Sequence, residues 1–177
     1  MDASFERIDS DTKYEGHVGT LRVDTFRYAD GGEATREIFS HPGAVGILAL
    51  DDDHVWLVRQ PREAVGELML EIPAGKYDVE GEDPLDTAKR ELAEEIGKAA
   101  EHWEPLPSLH TSVGFTNERL DLWLATGLSD DPQDSDEEER IEIVPWPLSD
   151  LDGAIAATTD SKTLVALLTL ALRRERG

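Results

Sequence analysis

A chain of 177 residues is long enough to bury a hydrophobic core in one domain, or in one domain with a small appendage. Its 39 acidic and 17 basic residues give a formal net charge of −22, which argues against nucleic acid or an anionic membrane as a partner, because both would repel it. No cysteine occurs, so disulfides, thiolate zinc sites and cysteine nucleophiles are excluded.

The acidity itself has two interpretations, and the sequence leaves both open. Only five basic residues are lysines, and an excess of acid with few lysines fits a high-salt cytoplasm, where ions screen the self-repulsion. An ordinary acidic bacterial protein is the alternative. Residues 1–7 have neither a positive start nor an apolar run, and the apolar stretch 164–172 is too short to span a bilayer. We therefore expect a cytoplasmic protein.

Residues 12–42 predict an antiparallel β element at the N-terminus. A loosely alternating segment, 17–28, precedes the turn Asp30-Gly31-Gly32, and residues 34–39 form the returning strand. A lone hairpin is marginally stable in water, so this element must pack on another surface.

Two short apolar runs, 43–50 and 54–60, predict paired strands that are buried on both faces, with the acidic triplet 51–53 as the turn between them. Later in the chain, residues 120–125 and 141–146 predict two further strands. Between these two strands, Ser129–Glu139 is nearly all acidic and polar, which predicts a mobile, solvated loop. Ser161 is the predicted N-cap of a final amphipathic helix.

The clearest helix signal lies in the middle of the chain. Asp83 suits an N-cap, Pro84 suits the first helical position, and Gly97 suits the C-terminal end. A buried stripe at helical spacing accompanies these ends, formed by Leu85, Ala88, Leu92 and Ile96.

Three carboxylates occupy a neighbouring face of this helix. Glu91, Glu94 and Glu95 stand at i, i+3 and i+4, where like charges cost roughly 0.2–0.5 kcal/mol per pair. A divalent cation would offset this repulsion, and oxygen ligands suit Mg²⁺. A solvated acidic face is the alternative for this helix taken alone.

The segment 75–97 resembles the Nudix box, whose usual pattern is G-x5-E-x7-R-E-U-x-E-E-x-G-U, with U a bulky apolar residue. From Glu82 the match continues without a break through Arg90-Glu91-Leu92 and Glu94-Glu95 to Gly97. Two departures occur: Gly75 to Glu82 is one residue longer than the pattern, and Lys98 holds the last apolar position.

This resemblance implies an α/β fold, a Nudix-type α/β/α sandwich around a mixed sheet. We expect residues 43–177 to form the catalytic domain and residues 1–42 to be the N-terminal β element. In the sugar-nucleotide branch of the family such an element forms a homodimer, which is what the resemblance implies here.

The resemblance also implies roles for the residues of the box. One or more Mg²⁺ or Mn²⁺ ions would be held by the metal ligands Ala74 (through its carbonyl), Glu91 and Glu95. Glu94 would be a further ligand or lie next to the ligands. Arg90 would orient the carboxylates and Glu82 would orient Arg90.

Flanking segments resemble the branch of the family that cleaves ADP-ribose. In that branch an Arg matching Arg62 contacts phosphate, and we assign Arg59 and Gly75 to substrate binding beside it. Glu118 matches a Glu that contacts the substrate sugar, although Val113 replaces the Pro that often marks the subfamily. The implied reaction is hydrolysis of ADP-ribose, or a related ADP-sugar, to AMP and a sugar phosphate.

Other functions stay open on the sequence. Val113 and the longer box leave room for a Nudix hydrolase of GDP-sugars, dinucleoside polyphosphates or oxidised nucleotides. A nucleotide-sensing module without turnover is the alternative from another functional class.

The acidic loop supplies a first testable prediction. The box carboxylates would bind metal, so the general base is expected to be another carboxylate. Similar ADP-ribose pyrophosphatases carry a catalytic Glu in the loop before the strand at 141–144. Glu137 matches that Glu best as the general base, with Glu138 and Glu139 as neighbouring alternatives. Glu137→Gln is expected to lower kcat about 10²–10⁴-fold with little change in KM. If all three Glu→Gln variants keep the wild-type kcat, the base lies elsewhere, at Glu94 or a metal-bound hydroxide.

Overall fold

The computed structural model describes residues 4–133 and 140–176, and in them the chain forms two compact units. The first unit runs up to Gly43 and also takes in His110–Arg119. The second comprises Ala44–Leu109 and the chain from Leu120 onwards. Each unit makes most of its contacts within itself. The segment 110–119 belongs to the N-terminal unit although it lies far from that unit in sequence.

The first unit is a three-stranded antiparallel sheet in the order β1 (Phe5–Glu15), β2 (Thr20–Tyr28) and β3 (Glu33–Ser40). β2 and β3 form the predicted hairpin. β1 begins before the predicted element and overlaps its first residues, and the sequence does not reveal this strand because its residues are mainly charged or polar. All 11 residues of β1 are exposed in this chain.

A buried carboxylate connects β1 to β2. Asp24 of β2 is 1% exposed, and its Oδ1 accepts a 2.6 Å hydrogen bond from the Ser10 hydroxyl of β1. Its Oδ2 accepts from the guanidinium groups of Arg22 at 3.3 Å and Arg7 at 3.4 Å. Burial alone would raise the pKa of Asp24, but Ser10 and the two arginines lower it below its usual value. Charge and hydrogen bonding therefore help to fix β1 on β2, together with the edge-to-face contact of Phe5 with Phe26.

The second unit is built on a mixed sheet. Its strands are β4 (Ala44–Leu50), β5 (His54–Arg62), β6 (Glu67–Glu71), β7 (Ala74–Lys76), β8 (Lys98–Pro105), β9 (Leu109–His110), β10 (Arg119–Asp130) and β11 (Glu142–Pro147). The main path of the sheet runs β11-β5-β4-β10-β8. β4 and β10 are parallel, whereas β5 pairs antiparallel with β4, β6 and β11, and β7 pairs antiparallel with β4.

Helices cover both faces of this sheet. They are α1 (Pro84–Ile96), α2 (Leu151–Ala156), which follows a 3₁₀ turn at Leu148–Asp150, and α3 (Ser161–Arg176). Alternate residues of β4 point to opposite faces, so the strand contributes to two apolar clusters. The cluster on the α1 side contains Val45, Ile47, Ala49, Ala88, Leu92 and Ile96. The cluster on the α2 and α3 side contains Leu48, Leu57, Leu122, Leu151, Ala166 and Leu167. The predicted α/β/α sandwich around a mixed sheet is confirmed.

Two sequence predictions for the second unit are wrong in detail. The predicted loop starts too early, because β10 continues to Asp130, which pairs with Lys98 of the unpredicted strand β8. The predicted N-cap Ser161 is the first helical residue of α3, and the carboxylate of Asp160 accepts from the Thr163 backbone N–H at 3.0 Å instead. None of the helices in the described ranges is long and apolar enough to cross a membrane.

Candidate active site

α1 begins and ends where its sequence predicts. The Asp83 carboxylate accepts a 2.9 Å hydrogen bond from the Leu85 N–H, and Pro84 occupies the first turn. Gly97 closes the helix in the left-handed conformation, at φ 66°, and its N–H donates back to the last turn. Between these ends the helix buries Leu92 and places Glu91 and Glu95 beside residues 74 and 75.

The guanidinium of Arg90 is the centre of the acidic face. Its Nη1 donates to Glu91 Oε1 at 2.8 Å and to Glu94 Oε2 at 2.9 Å. Its Nε and Nη2 donate to the two Glu82 oxygens, each at 3.3 Å, and Nη2 also donates to Asp78 at 3.2 Å. Burial would lower the pKa of Arg90, but the surrounding carboxylates raise it well above its usual value. Glu82 therefore contacts Arg90, the residue that it is predicted to orient.

Glu82 is held from both sides. The pKa of the Glu82 carboxyl lies below its usual value, mainly because Arg90 donates hydrogen bonds to it. The Thr87 hydroxyl, which donates to Glu82 Oε2 at 2.9 Å, lowers this pKa further. The loop before α1 is thereby tied to the first turn of the helix. The sequence gives no signal for the role of Thr87, because a buried threonine in a helix belongs to no catalytic pattern.

Glu91 lies against the backbone of Gly75. A Cβ atom at position 75 would stand 1.9 Å from Glu91 Cδ and 2.0 Å from Oε1, so only glycine leaves room for this carboxylate. Burial raises the pKa of Glu91 to about 7, with Arg90 opposing the shift and Glu94 and Asp78 adding to it. Gly75 is thus placed by the structure as the residue that makes space for Glu91.

Glu95 is the most buried carboxylate of this set, at 8% exposed. Its Oε2 accepts a 3.0 Å hydrogen bond from the Ala74 N–H, which fixes the end of α1 against the start of β7. Ala74 itself pairs with Gly46 in the sheet. The predicted ligands Ala74, Glu91 and Glu95 are therefore brought together around one short strand.

The chemistry of this cluster fits a divalent cation. Glu82, Glu91, Glu94 and Asp78 carry up to four negative charges around the single guanidinium of Arg90. In the described part of the chain no group of three or more acidic or histidine side chains is already arranged to hold a metal ion, and Arg90 is paired with all four of these carboxylates. Carboxylate oxygens suit Mg²⁺ and Mn²⁺, and such an ion would balance the negative charge that Arg90 alone does not neutralise.

The two predicted phosphate-binding arginines have different environments. Arg62 forms a two-pronged ion pair with Glu71, from Nε to Oε1 at 2.6 Å and from Nη2 to Oε2 at 2.7 Å. Among the described residues, Arg59 donates one side-chain hydrogen bond, to Glu142 of the neighbouring strand β11 at 3.1 Å. Arg62 is therefore held in one orientation by two hydrogen bonds, whereas the partner of Arg59 is an exposed side chain.

Glu118 belongs to the N-terminal unit, where neighbouring side chains orient it. Its Oε2 accepts a 2.7 Å hydrogen bond from the Thr111 hydroxyl, and His41 Nδ1 lies 3.6 Å from its Oε1. Thr111 and Glu118 also pair through their backbones at 3.2 Å. The candidate bases Glu137, Glu138 and Glu139 lie outside the described residues.

Comparison with known proteins decides the family. Residues 40–168 match the NUDIX domain, which covers most of the chain. The chain belongs to the Nudix family. Nudix hydrolases generally depend on a divalent metal ion, which agrees with the excess of carboxylates around Arg90.

Several Nudix relatives match over most of their length. An ADP-ribose pyrophosphatase of Mycobacterium tuberculosis is 41% identical over 149 residues, 82% of this chain and 72% of the relative. An ADP-ribose pyrophosphatase of Bacillus subtilis is 35% identical, and the match covers 90% of this chain and 89% of the relative. A methanol dehydrogenase activator of Bacillus methanolicus is 37% identical, and the match covers 94% of this chain and 92% of the relative.

A solved structure confirms the Nudix fold. The crystal structure of an ADP compounds hydrolase superposes with a TM-score of 0.84 at 22% identity, covering 98% of this chain and 96% of that chain. At this level of identity the likeness concerns the arrangement of strands and helices.

Gly75→Ala tests whether the space at position 75 serves Glu91. The new methyl group would displace the Glu91 carboxylate, and because the displaced atoms end a flexible side chain, the fold should tolerate the change. We expect hydrolytic activity to fall at least about tenfold, the cost of a misplaced catalytic group, with the thermal midpoint nearly unchanged.

Gly32→Ala is the matched control, because the nearest atom to its new Cβ would be an Asp30 oxygen at 3.1 Å in the β2–β3 turn. Wild-type activity in Gly75→Ala would show that the position of Glu91 does not matter.

Proposed function

We propose that this protein hydrolyses the pyrophosphate bond of ADP-ribose, or of a related ADP-sugar, to give AMP and a sugar phosphate. The observation that carries the proposal is the complete carboxylate set of α1, placed beside Ala74 and Gly75 with Arg90 at its centre. Two relatives above 34% identity that are ADP-ribose pyrophosphatases support the choice of substrate.

In this proposal Mg²⁺ or Mn²⁺ is the cofactor, with more than one ion in the site. Glu91, Glu95 and the Ala74 carbonyl would hold it, and Glu94 would be a further ligand. Bound metal neutralises the pyrophosphate charge and stabilises both the attacking and the leaving oxygen. Arg90 keeps the carboxylates of Glu91 and Glu94 on one side of the helix, so that little reorganisation is needed when an ion binds.

The substrate contacts follow from the positive charges near this cluster. Arg62 would bind the pyrophosphate and Arg59 would assist it from the same strand. Glu118 would accept hydrogen bonds from sugar hydroxyls, since an ionised carboxylate is an acceptor only. A chain of net charge −22 needs such local cations to attract an anionic substrate. A general base in the loop, Glu137 or a neighbour, and location in the cytoplasm stay predictions.

Glu95→Gln tests the metal site and the reaction together. The Gln carbonyl oxygen can still accept from the Ala74 N–H, so the fold should persist, whereas one negative charge of the site is lost. We expect turnover of ADP-ribose to fall by several orders of magnitude. In the wild type EDTA should abolish activity and Mg²⁺ should restore it, with AMP and ribose 5-phosphate identified by chromatography.

Glu101→Gln on β8, where the carboxylate is 75% exposed, is the matched control. The same assay with GDP-sugars, dinucleoside polyphosphates and oxidised nucleotides compares the alternative substrates. Faster cleavage of one of these would reassign the substrate, and no cleavage of any of them would favour a binding module. Full activity of Glu95→Gln would contradict the metal assignment.

We also propose that the N-terminal sheet forms a homodimer. β1 is an edge strand whose residues are all exposed, and exposed edges are usually covered in native proteins. Large apolar side chains accompany it: Phe5 is 66% exposed and Tyr14 is 64% exposed. A second copy of this sheet would cover both the edge and these side chains.

Sedimentation velocity tests the dimer. The wild type is expected to sediment as a dimer, and Ile8→Glu combined with Tyr14→Glu is expected to give a monomer, because charge would be placed in the interface. Val79→Glu, at a residue 52% exposed in the other unit, is the control and should stay dimeric. A wild-type chain that is monomeric at all concentrations would refute the proposal.

A further inference from the structure

A buried lysine lies behind the candidate phosphate-binding arginine. Lys162, near the start of α3, is 7% exposed and donates from Nζ to Glu71 Oε2. Glu71 is 1% exposed and is the same carboxylate that holds Arg62. Lysine is almost never buried unless it is paired, and here Asp160 also accepts from it, at 3.1 Å. This network contains two positive groups, Arg62 and Lys162, and two negative groups, Glu71 and Asp160, so it is neutral as a whole.

The segment that carries Lys162 is attached to β6 and the residue after it. The Thr158 hydroxyl donates to the Leu70 carbonyl at 2.7 Å, and the Ile72 N–H donates to the Thr163 hydroxyl oxygen at 2.9 Å. With the Lys162–Glu71 pair, three consecutive residues, 70–72, are each bonded to the segment 158–163. This attachment sets where the Lys162 ammonium lies relative to Glu71.

The same network reaches the catalytic face. Hydrogen bonds from Arg62 to Glu71 raise the pKa of Arg62, burial opposes the shift, and the negative charges of Glu71, Glu95 and Asp160 add to it. Glu95 belongs to the metal cluster, so Arg62 lies within electrostatic range of that cluster. The Arg62 side chain is 42% exposed, and its Nη1 has no hydrogen-bond partner among the described residues. This nitrogen is therefore available to an anion.

We infer that Lys162 is a positioning residue for substrate binding, which acts through Glu71 to hold Arg62 for a phosphate oxygen. The inference rests on the phosphate role proposed above for Arg62. Lys162 neutralises the charge of Glu71, so Arg62 is held in place by the two-pronged pair while its positive charge stays available to the substrate. Without Lys162, Arg62 would be the sole cationic partner of a buried carboxylate and would bind an external anion more weakly.

A double-mutant cycle with ADP-ribose and Mg²⁺ tests this inference. Arg62→Ala and Lys162→Gln are each expected to raise KM on the order of tenfold or more, the value of a hydrogen bond to a charged group, with kcat changed much less. Lys162→Gln is expected to add nothing to KM in the Arg62→Ala background, because its effect passes through Arg62. A purely structural role would lower the thermal midpoint and the active fraction, neither of which changes KM.

Two further variants make the test secure. Glu71→Gln combined with Lys162→Met removes one buried charge of each sign, which a fold tolerates better than the loss of a single partner, and it should raise KM in the same way. Lys89→Gln is the matched control, since Lys89 is 50% exposed and pairs with Asp86 on the outer face of α1. It should keep the wild-type KM.

The outcomes separate the inference from the function on which it rests. An unchanged KM in Arg62→Ala would contradict the phosphate role of Arg62 and the inference with it. A raised KM in Arg62→Ala with an unchanged KM in Lys162→Gln would overturn the positioning role alone. An equal rise from Lys162→Gln with and without Arg62 would also overturn it, because Lys162 would then act by another route.

Discussion

The site depends on an imbalance of charge that the fold maintains on one face of α1. Arg90 is surrounded by four carboxylates, and burial against Gly75 makes the ionised form of Glu91 costly. A chain would not keep such a cluster for stability, since like charges at helical spacing destabilise a helix. A divalent cation would relieve both the repulsion and the burial cost. The arrangement therefore supports the proposed metal site, in which Arg90 would hold the carboxylates.

The rest of the second unit gives this cluster a rigid support. β4 is buried on both faces, and β7 pairs with it so that Ala74 and Gly75 meet α1. On the opposite face, the start of α3 is bonded to residues 70–72, directly before this strand. Catalytic groups need positions fixed by packing and by hydrogen bonds behind them, and here both layers of helix contribute. The C-terminal helix thus belongs to the support of the site although it carries none of the box residues.

The features that the sequence predicts correctly are those that depend on interactions between residues close together in the chain. Asp83 and Gly97 give the ends of α1 because capping involves neighbouring residues only, and the spacing of Glu91, Glu94 and Glu95 gives their shared face. Glu71 and Lys162 are 91 residues apart, so no pattern joins them before the chain is folded. β1 is not predicted for another reason, since most of its residues are charged or polar and give no apolar alternation. Glu137, Glu138 and Glu139 lie outside the described residues, so the choice among them still rests on the resemblance.

Binding of Mn²⁺ followed by electron paramagnetic resonance tests most directly whether the α1 carboxylates form a divalent-ion site. The signal of the free ion disappears as the ion binds, so affinity and stoichiometry are measured without turnover. The wild type is expected to bind at least one ion per chain with saturation, and a variant with Glu91→Gln and Glu95→Gln is expected to lose that binding while keeping its fold. Equal binding by the two proteins would contradict the assignment of these carboxylates to the metal.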